Sequence, residues 1–272
     1  MRWLHALLLF LAMFAFAPAK ADIFEKCAQG PDSVAACSQA LSAVQRAMEL
    51  NGETPDGIYL RGLLFVKTGE FENAIEDLTI TIATQKHDDG MFRWRGEAYH
   101  RLGKLDLAVA DYERATSLDP DDPYAHLFKA AALIDLNNRA AAREVLDAFP
   151  SPRQGEPNVA LFSGQLLLEL NEPLLALSQF NEGLTISPEM SDLHEGRMLA
   201  LCQLGIETEA SDDLFTLLSS KNNFVFQELA NLRSEIEQLG ADRDGDVLYG
   251  VFTAWVAAGC PTVSTAKIGD QK

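Results

Sequence analysis

An alanine recurs at a constant interval through most of this chain. The spacing is kept without an insertion or a deletion over six positions, which are Ala40, Ala74, Ala108, Ala142, Ala176 and Ala210. A fixed period of about 20 to 50 residues is typical of tandem repeats, in which each unit packs against its neighbours. The chain is therefore predicted to be an array of similar units.

Other positions repeat in the same phase as the alanines. The residue four positions later is always apolar and lies one helical turn further on the same face: Val44, Leu78, Tyr112, Leu146, Phe180 and Leu214. Five positions before the alanine, five of six residues are glycine or asparagine, which accept the left-handed backbone that ends a helix: Gly69, Gly103, Asn137, Asn171 and Gly205. Each unit is predicted to be a helix, a tight turn and a second helix.

The unit at residues 89–122 contains the run WRGEAYHRLGKLDLAVADYERATSLDPDD. This run resembles the tetratricopeptide repeat (TPR) family at the family's signature positions, which are Gly96, Tyr99, Gly103, Ala108, Tyr112, Ala115 and Pro120. The resemblance implies an all-α fold, a right-handed superhelical solenoid of antiparallel helix pairs with capping helices at both ends. It also implies a surface for binding other proteins, because TPR arrays generally act in that way.

The repeat frame predicts the domain organisation. We expect a signal peptide at residues 1–21 and a partial N-terminal repeat that acts as a cap at 22–54. Five full repeats follow at 55–224, then C-terminal capping helices at 225–260 and a tail at 261–272. The first to fifth repeats span 55–88, 89–122, 123–156, 157–190 and 191–224. Pro150 and Pro152 end the second helix of the third repeat early, and the segment that follows is interpreted as a longer loop, with a flexible joint at 150–157 as the alternative.

The N-terminus has the pattern of a secretory signal peptide. An apolar run extends from Leu4 to Phe16, and Ala19-Lys20-Ala21 is a small-x-small cleavage site. The run is shorter than the roughly 20 apolar residues that a membrane anchor needs. We therefore expect cleavage near Ala21, a periplasmic or secreted mature protein and no stable membrane insertion.

The chain is strongly acidic, with a formal net charge of -18 from 22 basic and 40 acidic residues. This charge disfavours nucleic acid and anionic lipid as partners and favours solubility and cationic partners. It does not identify a partner.

Four cysteines in an exported chain favour disulfide bonds. Cys27 and Cys37 flank a Gly30-Pro31-Asp32 turn, so they are predicted to join the two helices of the terminal hairpin. Cys202 and Cys260 are predicted to link the last repeat to the C-terminal segment, with two buried thiols as the alternative.

Motifs for catalysis are absent from the sequence: it contains no GxSxG, HExxH, Walker or CxxC pattern and no dinucleotide fingerprint. The histidines of the predicted mature chain lie in separate repeats. We expect no enzyme activity, no cofactor and no metal site.

The TPR resemblance places the binding groove on the first helix of each repeat. The groove residues carried over in this way are Tyr59, Leu63, Lys67, Arg93, Trp94, Glu97, His100, Arg101, Leu127, Phe128, Phe162 and Gln165. Arg93, Trp94, His100 and Arg101 form a basic and aromatic spot that suits an acidic group of a peptide. The alternative is that Trp94 packs against a neighbouring helix and that the arginines pair with local carboxylates.

Three hypotheses for function follow. The favoured one is a non-catalytic interaction module of the cell envelope that binds a peptide or helix of an unidentified exported protein in the groove. The second is a structural scaffold in which copies of the chain form a homo-oligomer through repeat or cap surfaces. The third is an enzyme or metal protein whose site lies in the C-terminal helices.

Overall fold

The computed structural model describes Cys27 and residues 33–84, 89–148 and 156–205. Every regular element in these residues is an α-helix. The ten helices are α1 (Ser33–Asn51), α2 (Pro55–Thr68), α3 (Phe71–Thr84), α4 (Asp89–Arg101), α5 (Leu105–Leu118), α6 (Pro123–Asp135), α7 (Arg139–Ala148), α8 (Pro157–Glu169), α9 (Pro173–Ile186) and α10 (Ser191–Gln203). The predicted all-α class and the helix-turn-helix units are confirmed for this part of the chain.

Local sequence explains where several helices begin. Thr54 caps α2 by accepting a hydrogen bond from the backbone N–H of Gly57, and Asp122 caps α6 by accepting one from Tyr124. Proline occupies the first position of α2, α6, α8 and α9, where its missing N–H removes no helical hydrogen bond.

The turns inside the repeats have one geometry. One or two residues after the first helix ends, the backbone has a positive φ, at Gly69, Gly103, Asn137, Asn171 and Gly205. After α2, the N–H of Glu70 donates to the carbonyl of Phe65 at 2.8 Å, and the same bond recurs after α4 from Lys104 to Tyr99 at 2.9 Å. These bonds satisfy carbonyl groups that the helix end leaves free and allow a very short connection to the next helix.

The described helices form two compact units. Unit 1 contains α1 to α6, and unit 2 contains α7 to α10. In unit 1 each helix packs against the next one, and in addition the first helices α2, α4 and α6 contact one another in sequence. In unit 2, α8 packs against α9, α9 against α10, and α8 also contacts α10.

The recurring alanines are buried at the helix contacts. Ala40, Ala74, Ala108, Ala142 and Ala176 have no exposed surface. The apolar residue four positions later packs onto the small residue of the partner helix: Leu78 lies against Gly62, Tyr112 against Gly96 and Phe180 against Gly164. The period therefore fixes a close contact between the two helices of the first, second and fourth repeats, and the burial of these side chains stabilises it.

The N-terminal disulfide is present as predicted. Cys27 and Cys37 are bonded with a Cα–Cα distance of 4.7 Å, and both belong to the core cluster that includes Val44 and Leu64. In the chain-entropy model, closing a loop of this size stabilises by about 3 kcal/mol. The bond thus ties α1, the first of the ten described helices, to the residue at position 27.

Several predictions concern residues outside the described part. These are the signal peptide, the second helix of the fifth repeat, the C-terminal capping helices, the tail and the 150–157 loop apart from its last residues. Cys202 is disulfide-bonded, whereas its predicted partner Cys260 lies outside the described residues.

Candidate partner-binding surface

The first helices of unit 1 provide a continuous wall, because α2 contacts α4 and α4 contacts α6. Aromatic side chains lie along it at partly buried positions. Tyr59 of α2 and Trp94 of α4 pack against one core cluster, and Phe128 of α6 packs against the cluster of Ala108 and Tyr112. The wall therefore presents one large aromatic side chain from each of three successive helices.

Phe128 is held by other rings. Its ring stacks on Tyr112 with centroids 5.9 Å apart and is tilted against Tyr124 at 6.3 Å. Aromatic pairs at such distances favour offset or tilted arrangements and add to the stabilisation from burial. Phe128 is thus rigidly placed on the wall.

Two arginines of the first helices are fixed by carboxylates of the second helices. Arg61 donates two hydrogen bonds to Asp77, at 2.7 and 2.8 Å, and Arg95 donates two to Asp111, both at 2.7 Å. The hydrogen bond from Arg61 to Asp77 raises the pKa of Arg61. For Arg95, burial favours the neutral form, but the contact with Asp111 outweighs it and the pKa is raised.

Other basic groups on these helices are also paired. Arg93 Nε lies 2.9 Å from Asp122 Oδ2 without the geometry of a hydrogen bond, so that contact is ionic. Lys129 Nζ lies 3.1 Å from Glu113 Oε1, and His100 Nε2 lies 2.7 Å from Asp135 Oδ2. Of the predicted basic spot, Arg93 and His100 thus contact carboxylates of their own unit.

Lys67 and Arg101 differ from the other cations of the wall. Lys67 Nζ lies 4.7 Å from the centre of the Trp94 ring, and Arg101 Cζ lies 5.6 Å from that of Phe71. Both side chains are exposed, and among the described residues neither forms an ion pair with a carboxylate. Arg93 Cζ also approaches Trp94, at 5.0 Å.

The Tyr112 hydroxyl is buried without a hydrogen-bond partner among the described residues. Its ring lies against Gly96 and edge-on to His100, with centroids 6.4 Å apart. Burial is the main cause that raises the pKa of Tyr112 well above its usual value, and the negative charge of Glu97 acts in the same direction. Glu97 itself is partly buried on α4.

The structure changes the predicted groove at two positions. Leu63 is 2% exposed and Leu127 is fully buried, so both belong to the core behind the wall and offer no surface to a partner. Their side chains lie on the side of α2 and α6 that packs within the unit. In unit 2, Phe162 and Gln165 are partly buried on α8.

The ion pairs behind the wall were missed by sequence reasoning, although a signal existed. Arg61 and Arg95 occupy the same position of consecutive repeats, and so do Asp77 and Asp111. The same sequence separation that joins Arg61 to Asp77 also brings Gly62 against Leu78 across the two helices of a repeat. A search for opposite charges at that separation would have found both pairs.

Two further observations bear on function. The described residues contain no group of three or more histidine, cysteine or acidic side chains arranged to hold a metal ion. Within the same part of the chain, no helix has both the length and the apolar character needed to cross a bilayer.

Comparison with known proteins supports the TPR resemblance. Residues 96–136 match the TPR repeat family model. A stretch of 53 residues, 20% of this chain, is 45% identical to cellulose synthase 2 operon protein C of Komagataeibacter xylinus. That stretch covers only 4% of the relative, so the likeness concerns the repeats.

Solved structures show the same fold. A thermophilic TPR protein of Thermus thermophilus matches with a TM-score of 0.55 and 21% identity, over 67% of this chain and 98% of that one. YrrB, described as a TPR protein with an unusual peptide-binding site, matches with a TM-score of 0.51 and 16% identity, over 72% of this chain and all of that one. TPR proteins generally mediate protein–protein interactions and are typically not enzymes.

Proposed function

We propose that this chain is a non-catalytic interaction module that binds an extended segment or a helix of a partner protein on the wall formed by α2, α4 and α6. The observation that carries this proposal is the row of Tyr59, Trp94 and Phe128, one partly buried aromatic side chain on each of three contacting helices. Large aromatic side chains on a rigid support are the typical anchors of protein interfaces. The peptide-binding site described for YrrB is consistent with this use of the fold.

We further propose that the module acts in the cell envelope. The signal-peptide pattern and the Cys27–Cys37 disulfide support export, because disulfides persist in oxidising compartments. N-terminal sequencing of the protein purified from cells should give a mature chain that begins near Asp22. Recovery of the protein with Met1 in place would contradict export with cleavage.

The proposal is tested by capture of partners from an envelope extract on the immobilised, oxidised mature protein. Trp94→Ala and Tyr59→Ala should each reduce capture of the proteins that the wild type retains, by about tenfold, since an interface anchor contributes about 1 to 2 kcal/mol or more. Leu107→Ala is the matched control, because Leu107 is 50% exposed on the second helix α5, away from the row.

Circular dichroism identifies which variants remain folded, and only those are interpreted. If folded Trp94→Ala and Tyr59→Ala proteins retain the same partners as the wild type, the row is not the binding surface. Loss of capture with Leu107→Ala alone would place the interface on the second helices.

A homo-oligomeric scaffold is the second candidate. It is favoured by exposed leucines on second helices: Leu107 at 50% in unit 1, and Leu174 at 68% and Leu175 at 40% in unit 2. Pairing of such side chains between copies would bury them. Light scattering decides this point, because a monomer over a wide range of protein concentrations would exclude the scaffold.

A further inference from the structure

The cations of the wall in unit 1 fall into two groups. The helices α2, α4 and α6 carry six lysine and arginine side chains. Four of them form ion pairs with carboxylates of the described residues: Arg61, Arg93, Arg95 and Lys129. The other two, Lys67 and Arg101, contact aromatic rings instead.

Lys67 and Arg101 occupy the same position of consecutive repeats, in the last turn of α2 and of α4. The rings that hold them, Trp94 and Phe71, both pack against the core cluster that contains Leu64 and Phe65. The two cations therefore border one aromatic patch, on two helices that contact each other.

An aromatic ring holds a cation in place without neutralising it. A carboxylate partner, in contrast, cancels most of the field that a ligand would experience. Lys67 and Arg101 therefore place two unneutralised positive charges on neighbouring helices of a chain that is acidic as a whole, with 40 acidic and 22 basic residues. Their charge complements an anionic group on a ligand.

We propose that Lys67 and Arg101 bind side-chain carboxylates of an acidic segment of the partner protein, while the patch of Trp94 and Phe71 contacts the aliphatic part of that segment. This inference rests on the proposed interaction function and specifies the chemistry of the partner. It assigns the charge recognition to Lys67 and Arg101 and not to Arg93, whose charge is taken by Asp122.

The inference is tested with a defined probe, hexaglutamate capped at both ends and labelled with an uncharged dye, and fluorescence anisotropy measures its binding. Capped hexaglutamine with the same dye is the neutral control. Wild type should bind hexaglutamate about tenfold more tightly than hexaglutamine at low salt, because Lys67 and Arg101 can each form an ion pair with a glutamate side chain. The difference should shrink as the salt concentration rises.

The decisive variant is the double substitution Lys67→Glu with Arg101→Glu. It should lower the affinity for hexaglutamate by about tenfold or more. Arg46→Glu with Lys104→Glu is the matched control, because it makes the same change in net charge at two exposed positions off the wall. The control should retain affinity within about twofold.

Equal affinity of wild type and the Lys67/Arg101 variant overturns the inference. So does an equal loss in the Arg46/Lys104 variant, because the effect would then come from net charge alone. All four positions are exposed, so these variants are expected to fold, and circular dichroism checks this.

Partner capture separates this inference from the proposed function. If the Lys67/Arg101 variant captures partners from an envelope extract as well as wild type does, while Trp94→Ala captures none, the interaction function stands and acidic recognition is wrong. If wild type captures no partner at all, the proposed function fails, and the hexaglutamate titration still decides whether the two cations form an anionic site.

Discussion

The second and fourth repeats solve the same packing problem with different side chains. In both, a ring on the second helix lies on a glycine of the first: Tyr112 on Gly96 and Phe180 on Gly164. The two repeats differ at the residue before the glycine and at the residue before the ring. The second repeat has the ion pair of Arg95 and Asp111.

The fourth repeat has Ser163 and Gln179 at those two positions. Gln179 Oε1 is buried without a hydrogen-bond partner among the described residues. The close contact between helices is therefore common to these repeats, whereas the ion pair beside it is shared by the first and second repeats and is replaced in the fourth. Apolar packing holds the two helices of a repeat together, and the ion pair changes the stability of the repeat that contains it.

The next first helix also differs between the two repeats. Phe128 stacks on Tyr112, while at the equivalent position Gly196 leaves room for Phe180. An added Cβ at Gly164 would lie 2.5 Å from the Phe180 ring, and one at Gly196 would lie 2.4 Å from it. The ring in the fourth repeat is thus enclosed by glycines on both sides and has little freedom to move.

The largest effect is expected from removal of the acidic partner in the second repeat. Asp111→Ala should lower the free energy of unfolding by about 3 kcal/mol, because it leaves the largely buried Arg95 guanidinium without its carboxylate. Gln179→Ala, at the equivalent position of the fourth repeat, should lower it by less than about 1 kcal/mol. Urea denaturation measures both values. A loss for Gln179→Ala as large as that for Asp111→Ala would remove the distinction between the two repeats.

A smaller effect is expected from filling the glycine contacts. Gly164→Ala should destabilise by about 2 kcal/mol, because the enclosed Phe180 ring cannot yield to the added methyl group. Gly62→Ala is the matched control in the first repeat, where the nearest atom is Leu78 Cγ at 3.0 Å on a flexible side chain. There the gain in helix propensity of about 1 kcal/mol should offset most of the strain. Thermal unfolding should show a clear drop only for Gly164→Ala, and equal drops would contradict this account.

The smallest effect concerns the hydroxyl that Tyr112 has and Phe180 lacks. Tyr112→Phe should leave stability unchanged or raise it by up to about 1 kcal/mol near neutral pH, because the buried hydroxyl has no partner among the described residues. Burial raises the pKa of Tyr112, so titration of this group leaves stability unchanged below the unfolded pKa of about 10 and lowers it as the pH rises above that value. Above about pH 10 the wild type should therefore lose stability faster than Tyr112→Phe. If the free energy of unfolding of the two proteins falls in parallel as the pH rises, the hydroxyl of Tyr112 is not buried.

The sequence predicted the elements that repeat, because each follows from a local rule. The alanine period located the helix contacts, and Gly69 and Asn137 located the left-handed turns. The local spacing of Cys27 and Cys37 predicted their disulfide. None of these inferences required knowledge of a distant contact.

The wall was harder to predict, because its properties depend on contacts between helices. Leu63 and Leu127 were placed in the groove by repeat position alone, but both are buried in the core. For Arg93 the sequence left open a ligand contact or pairing with a local carboxylate, and the structure shows the pairing, with Asp122 at the end of the same repeat. The contact of Lys67 with the Trp94 ring could not be predicted from the sequence, because it joins two different helices.

The left-handed turns also restrict how such a chain can change in length. Gly69, Gly103 and Asn171 set the same short connection between the two helices of the first, second and fourth repeats. One inserted residue inside a helix would rotate everything after it by about 100° and carry the alanine out of the contact. Duplication or loss of a whole repeat would preserve every contact. Evolution of this chain is therefore expected to add or remove complete units, and the number of units can vary while the sequence within each one stays in phase.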